Sequence, residues 1–370
     1  MLTVRSDEAG LETAARILTG GGVAVIPTDT VYGLAAHPDF PAAVDRLYQI
    51  KHRAAKKPIA LLASDPEGAA RFLGGMDDQA ARIAKREWPG ALTLVLPVED
   101  ETRRRSAGEQ PVFEGLRVPD HDWTRRLIAK CGGVLRVTSA NLSGQRAATD
   151  APEALAAIGL SADLIVDDGI SPGGVASTVA KVANGEIAIL RPGPVRFLTL
   201  ASGSPRRAKI LRKLGVDFTV VKSEAPEVLH PEDPERTVRE NALAKGAAVG
   251  GKRVLSADTI VWFGNKIYGK PRDLEEAKRF LRELSGQVHT VFTGVAYDGD
   301  VRVCRSSVRF RRLTDAAIDE YVARVNPTDR AGAYDIDDRG DTVVESYAGS
   351  YENIMGLPVE PLADWKILSS

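Results

Sequence analysis

The chain has 370 residues, 44% of them hydrophobic, and its 49 Lys and Arg against 50 Asp and Glu leave a net charge of −1. That length suits two domains of ordinary size. The charge balance excludes a global pull toward nucleic acid or a membrane surface, so any anion site must be local. The two cysteines, Cys131 and Cys304, fall in different halves, and the five histidines show no metal-ligand spacing. This argues against a disulfide framework or a zinc site and for a reducing cytoplasm. Arg5, Asp7 and Glu8 interrupt the N-terminus before any apolar run, so no signal peptide is expected. No run of about 18 apolar residues is present to span a membrane.

In chain order, Asp7 to Thr19 reads as an amphipathic helix with Leu11, Ala14, Ala15 and Leu18 on one face, stopped by Gly20, Gly21 and Gly22. Val23 to Ile26 reads as a short buried strand. The polar cluster Pro27-Thr28-Asp29-Thr30-Val31-Tyr32-Gly33-Leu34 follows, either a cap-rich turn or a ligand site at a strand end. A helix is predicted over Pro41 to Ile50. Lys51, Arg53, Lys56 and Lys57 come next, a surface charge run or an anion site ahead of the strand Ile59 to Ala63. Further strands are predicted at Leu92 to Leu96, Leu116 to Pro119 and Val134 to Val137. A charged loop covers Glu99 to Gln110. The last of these strands runs into Thr138-Ser139-Ala140-Asn141-Leu142-Ser143-Gly144, whose hydroxyls and amide can donate to phosphate or cap a helix. Ser177-Thr178 and Arg191-Pro192-Gly193 close the half.

PTDTVYGL, KHR, WPGALTLVLP, RVPDH, TSANLSG, STV and LRPG, in this order over residues 10 to 195, resemble the YrdC/Sua5 family. K-x-R together with S-A-N-x-S-G separates that branch from its YciO relatives. The resemblance implies a twisted α/β sheet with a large basic cavity. It implies synthesis of threonylcarbamoyl-adenylate from L-threonine, bicarbonate and ATP, which serves the t6A modification of tRNA. On that reading Lys51, Arg53 and Arg191 hold the nucleotide phosphates, and Ser139, Asn141 and Ser143 bind nucleotide and Mg²⁺-linked oxygens. Thr30, Arg117, Thr138 and Ser177 line the threonine pocket. Catalysis is then positioning and charge stabilisation, with no covalent nucleophile. Ala91 and the stretch Ala54 to Lys57 depart from the family pattern, and the separate C-terminal domain of the longer Sua5 proteins is not found.

The seam, Leu190 to Leu211, joins domains read as 1–195 and 196–370. After a strand Phe197 to Ala201, Ser204 suits an N-cap and Pro205 the first helical position. Arg206, Arg207 and Lys209 crowd the start of that helix against its dipole, marking either a solvated basic end or a phosphate cradle. A strand at Val216 to Val221, a helix at Arg236 to Val249 and a strand at Val254 to Val261 follow. An ionised Asp258 inside an apolar strand is expensive unless paired, bulge-bonded or metal-bound, which makes it the leading catalytic candidate. Leu274 to Leu284 reads as a helix and Val291 to Tyr297 as a strand.

LASGSPRR, ENALAK, SADTIV, GKPRD, LSGQVHTVFTG, AGAY and GSYENIMGLP resemble the Maf family across this whole half. The resemblance implies an α/β domain with a central cleft that hydrolyses dTTP, UTP or modified nucleotides to monophosphate and pyrophosphate. Arg206, Arg207, Lys245 and Lys270 would clamp the triphosphate, and Glu227 and Asp258 would bind Mg²⁺ or another divalent cation. Asp258 would also activate the attacking water, and Thr259 and Arg207 would bear on base choice. Asp337 stands where the dTTP/UTP branch has Gln, so an altered base preference is expected, because an ionised carboxylate only accepts hydrogen bonds. The expected protein is a cytoplasmic bifunctional enzyme, with small-molecule substrates, tRNA or t6A-pathway proteins as partners, a homodimer as its assembly and no membrane. The alternative makes the first half an RNA-binding module, through Lys51, Arg53, Lys56 and Lys57, and the second a non-catalytic regulator of cell division.

Overall fold

The strand Val23–Ile26 is buried at all four positions because helices cover both faces of its sheet. Ala24 and Ile26 meet Leu11, Ala14 and Leu18 of helix Glu8–Thr19 and Trp123, Leu127 and Ile128 of helix Asp122–Lys130. Val23 and Val25 instead meet Ala43 and Leu47 of helix Pro41–Ile50 and Ala154 and Ile158 of helix Ala151–Ile158. Alternate side chains thus feed two cores, as an unbroken apolar strand between helical layers requires. Asp7 caps the first helix, its carboxylate accepting from Gly10 N–H at 2.8 Å.

The computed structural model describes residues 1–54, 57–99 and 112–368. Lys56 and nearly all of the charged stretch after Glu99 lie outside the described residues. The chain forms a first α/β unit, Met1–Arg196, and a second, Phe197–Ser370. The first carries a ten-stranded mixed sheet in which Gly33–Ala36 lies between Val23–Ile26 and Val134–Ser139. The strand expected at Leu116 to Pro119 instead spans Phe113–Arg117. Pro119 has no N–H to continue a ladder, and the strand extends backwards to pair Phe113 with Pro97. Among the described residues no helix is long and apolar enough to cross a membrane.

The second unit has a seven-stranded sheet. Leu198–Leu200 runs parallel to Phe218–Val220 and to Val254–Phe263, and the latter is antiparallel to Val288–Tyr297. Asp298 and Gly299, both at positive φ, turn that strand into Asp300–Phe310. Helix Pro234–Val249 lies close over this sheet for a definite reason. Gly294 pairs directly with Asp258, and a Cβ there would stand 2.2 Å from the Val238 carbonyl oxygen. Only glycine lets the helix approach this near, which brings Asn241 and Lys245 down onto Asp258.

His289 sits in the core of this unit, 1% exposed, its ring edge-on to Phe310 and Tyr334 and its Nε2 3.0 Å from the Tyr334 hydroxyl. Burial lowers its pKa to about 4. The unfolded chain therefore binds a proton that the folded state refuses. The stabilisation is complete above about pH 6.5 and is lost as pH falls toward 4, on the order of 3 kcal/mol. Urea unfolding of His289→Gln should show that part of the acid slope removed relative to wild type; parallel pH profiles would contradict it.

Candidate functional site

In the second unit the candidate residues surround a cavity of about 270 Å³. It is lined by a chain of paired polar groups, of which Asp258 and Asn241 are buried and Glu227 is half exposed. Lys245 Nζ lies 2.6 Å from Asp258 Oδ1 and 2.7 Å from Glu227 Oε1. Asn241 Nδ2 donates to Asp258 Oδ2 at 3.0 Å. The same amide also donates to the Val228 carbonyl at 3.0 Å and accepts from Val228 N–H at 2.8 Å. Asn241 therefore fixes both the catalytic candidate and the loop that carries Glu227. The side chains that satisfy Asp258 are amide and ammonium groups, and its strand pairs in regular register with Val288–Tyr297, so the bulge alternative does not apply.

The walls are cationic. Lys222 and Lys270 line the cavity with Arg206 and Arg207. Arg206 lies 3.3 Å from Asp329 and 3.7 Å from Asp335. Ser204 occupies the N-cap of helix Pro205–Lys213, but its side chain makes no capping bond, which leaves the first-turn N–H groups available to an anion. Arg207 is no free clamp. It is buried and donates to Ser202 Oγ at 2.8 Å, to the Gly356 carbonyl at 2.8 Å and to Thr259 Oγ1 at 3.1 Å. Burial lowers its pKa to about 10, with Asp258 opposing the shift, so it remains a cation at neutral pH. Asp337 does not line the cavity. Its carboxylate is paired with Lys209 and accepts from the Tyr351 hydroxyl at 3.2 Å.

In the first unit, hydrogen bonds draw the candidates together. Gly33 pairs with Ser139, so the Pro27–Tyr32 loop lies beside the Thr138–Gly144 loop. Lys51 is 1% exposed, and its ammonium donates to the carbonyls of Ser139 and Asn141 and, at 3.2 Å, to Asn141 Oδ1. Asn141 Nδ2 donates onward to the carbonyls of Leu142 at 2.9 Å and Gln145 at 2.8 Å. Both side chains are spent on fastening the loop, where the sequence led us to expect direct nucleotide contacts. Burial, with Arg53 nearby, lowers the Lys51 pKa to about 8. Ser143 is exposed on the same loop, while Thr138 and Ser139 are half-buried.

Arg117 is buried and donates to Thr30 Oγ1 at 2.7 Å, to the Gly90 carbonyl at 2.8 Å and to Asp29. Arg191 donates to the Ser177 carbonyl at 2.8 Å, and Ser177 Oγ is 2.9 Å from Thr93 Oγ1. Arg53 straps its own loop through the carbonyls of Lys57 and Pro58. The Arg191 pKa is lowered by burial and then by Arg117 and Arg53. Arg117 and Arg53 thus both bear on Arg191, and Asp29 is the carboxylate that pairs with Arg117. An anion is the natural complement of that arrangement.

Asp29 and Asn241 were given no role from sequence. The tertiary contact that defines each is non-local, and only the position of Asn241 four residues before Lys245 on one helix face pointed to it.

The family model Sua5_yciO_yrdC, described as Telomere recombination, matches residues 16–193, and the model for Maf-like protein matches residues 197–365. The dTTP/UTP pyrophosphatase of Thermosipho melanesiensis is 38% identical over 46% of this chain and 96% of that protein. The dTTP/UTP pyrophosphatase of Desulfitobacterium hafniense is 46% identical over 45% of this chain and 83% of that protein. A doubly substituted Sua5 from P. abyssi is a structural neighbour at 28% identity and a TM-score of 0.50, covering 60% of this chain and 64% of that one. The chain thus spans a little under two thirds of that Sua5 structure. It belongs to the Maf-like family through its second half and joins to it, in one polypeptide, a domain of the Sua5–YciO–YrdC family.

Proposed function

We propose that the chain is a bifunctional nucleotide-using enzyme. Its second domain hydrolyses dTTP and UTP to the monophosphate and pyrophosphate. Its first domain makes L-threonylcarbamoyl-adenylate from L-threonine, bicarbonate and ATP, a product that serves tRNA modification.

For the second domain the carrying observation is the Asp258–Lys245–Glu227 cluster on the floor of a cavity with cationic walls. Asp258 accepts the proton of the water that attacks the α-phosphorus; the α–β bridging P–O bond breaks and pyrophosphate leaves. Arg206, Lys270 and the N-terminus of helix Pro205–Lys213 hold the phosphate chain in line. Asn241 keeps Asp258 and Glu227 in place. Asp258 and Glu227, both bonded to one ammonium, would hold a hard divalent cation such as Mg²⁺; no group of three or more His, Cys, Asp or Glu that could hold a metal exists among the described residues. When bound, that cation neutralises charge on the triphosphate.

Arg207 and Thr259, held together at one end of the cavity, bear on the base. With Asp337 paired elsewhere, dTTP and UTP remain the preferred substrates. Asp337→Gln should change the preference for UTP over CTP by no more than about twofold. A larger change in kcat/KM ratios would return Asp337 to the base site.

For the first domain the carrying observation is the pair of hydrogen-bonded arginines, Arg117 on Thr30 and Asp29 and Arg191 on Ser177. Arg53 and Arg191 hold the nucleotide phosphates. The Thr30–Arg117–Asp29 network and Ser177 shape the threonine side, and Lys51 and Asn141 position the loop that offers Thr138, Ser139 and Ser143. The carbamate oxygen of threonine attacks the α-phosphorus of ATP and pyrophosphate departs, so positioning and charge stabilisation suffice. The test is pyrophosphate release from ATP: it should require both threonine and bicarbonate. Release that ignores both would sink this reading.

A further inference from the structure

We propose that Lys245 is a resident counter-ion that keeps the divalent-cation site closed until a nucleotide arrives, and that it transfers to the phosphates when the cation enters. The proposal rests on the pyrophosphatase reading of this cavity and deepens it.

Both carboxylate oxygens of Asp258 are already engaged. Asp258 Oδ1 is held by Lys245 at 2.6 Å, and Oδ2 by Asn241 at 3.0 Å. The Asn241 amide is 1% exposed and locked twice to the backbone of Val228, so it does not yield. Lys245 is the movable partner, a flexible ammonium on a four-carbon stem. It also neutralises Glu227 at 2.7 Å, so one side chain occupies both carboxylates that a metal needs. Without it, two carboxylates aimed at one point would repel. The ammonium has a destination, since the cavity it faces is lined by Arg206 and Lys270, groups of the kind that gather phosphate oxygens. Cation and nucleotide then bind with positive coupling, each easing the entry of the other.

Mn²⁺ binding by the full chain, read by the loss of its free-ion paramagnetic resonance signal, tests this without turnover. Titrations are run with and without a non-hydrolysable α,β-methylene analogue of UTP. Wild type should bind Mn²⁺ about tenfold more tightly with the analogue than without it, beyond the Mn²⁺ bound by the analogue alone. Lys245→Met should bind Mn²⁺ about tenfold more tightly than wild type when no analogue is present, and should lose that advantage when it is present. Lys245→Gln, which keeps a donor for the carboxylates, guards against loss of folding and should fall between the two. A Lys245→Met advantage that persists unchanged with the analogue overturns the proposal, because the ammonium would then never have left. Equal Mn²⁺ affinity in wild type with and without analogue also overturns it while leaving a metal site intact. Failure of every protein to bind Mn²⁺ even with the analogue removes the metal reading itself, and the proposal with it.

Discussion

Replacing Asp258 with Asn lowers dTTP and UTP hydrolysis by about 10³-fold, the size expected when a positioned proton acceptor is lost. The fold should survive. Asn keeps the volume, its oxygen still accepts from Lys245, and the strand around it is paired throughout with Val288–Tyr297; its amide nitrogen faces the Asn241 amide, so one buried hydrogen bond is lost, worth about 1 kcal/mol. A thermal midpoint within a few degrees of wild type separates lost chemistry from lost structure. The rate should fall in kcat rather than through KM, because the cationic walls that hold the triphosphate are untouched. Hydrolysis within tenfold of wild type would mean that another group takes the proton.

The second large effect is structural in origin. Lys51→Met in the first domain leaves the Ser139 and Asn141 carbonyls and Asn141 Oδ1 buried without their shared donor. The three oxygens are neutral, so the cost is that of buried acceptors left without a donor, about 1–3 kcal/mol, and methionine fills the space without replacing a single bond. Urea unfolding should show the loss in the first domain, together with loss of threonine-dependent adenylate formation. If activity vanished while stability stayed unchanged, Lys51 would act on the nucleotide directly rather than through the loop.

These two cases mark where sequence reading reaches and where it stops. Helices Pro41–Ile50 and Leu274–Leu284 were legible to the residue, because apolar spacing and start signals agree there. Asp258 was legible because a charge inside an apolar strand needs a reason. Hairpin Thr178–Ala183 and Glu186–Arg191 was passed over, although Asn184-Gly185 between them, both at positive φ, is a strong turn signal. The burial of Lys51 was hidden for a different reason. A lysine next to Arg53 and Lys57 looks solvated in one dimension, and only the fold reveals that its ammonium points inward onto two carbonyls. The pairings of Arg207 and Asp337 were hidden in the same way, since their partners Gly356 and Lys209 lie more than a hundred residues away in the chain. Motif order carried the family; pairing in space decided which charged groups remain free to meet a ligand.

If one polypeptide holds two separable nucleotide chemistries, each should be lost without the other. The most direct measurement uses the full chain and its Asp258→Asn variant with a divalent cation. Pyrophosphate release is followed from UTP alone and from ATP with and without threonine plus bicarbonate. The variant should lose release from UTP and keep wild-type release from ATP that depends on both threonine and bicarbonate. Loss of both activities in the folded variant, or release from ATP indifferent to threonine, would contradict it.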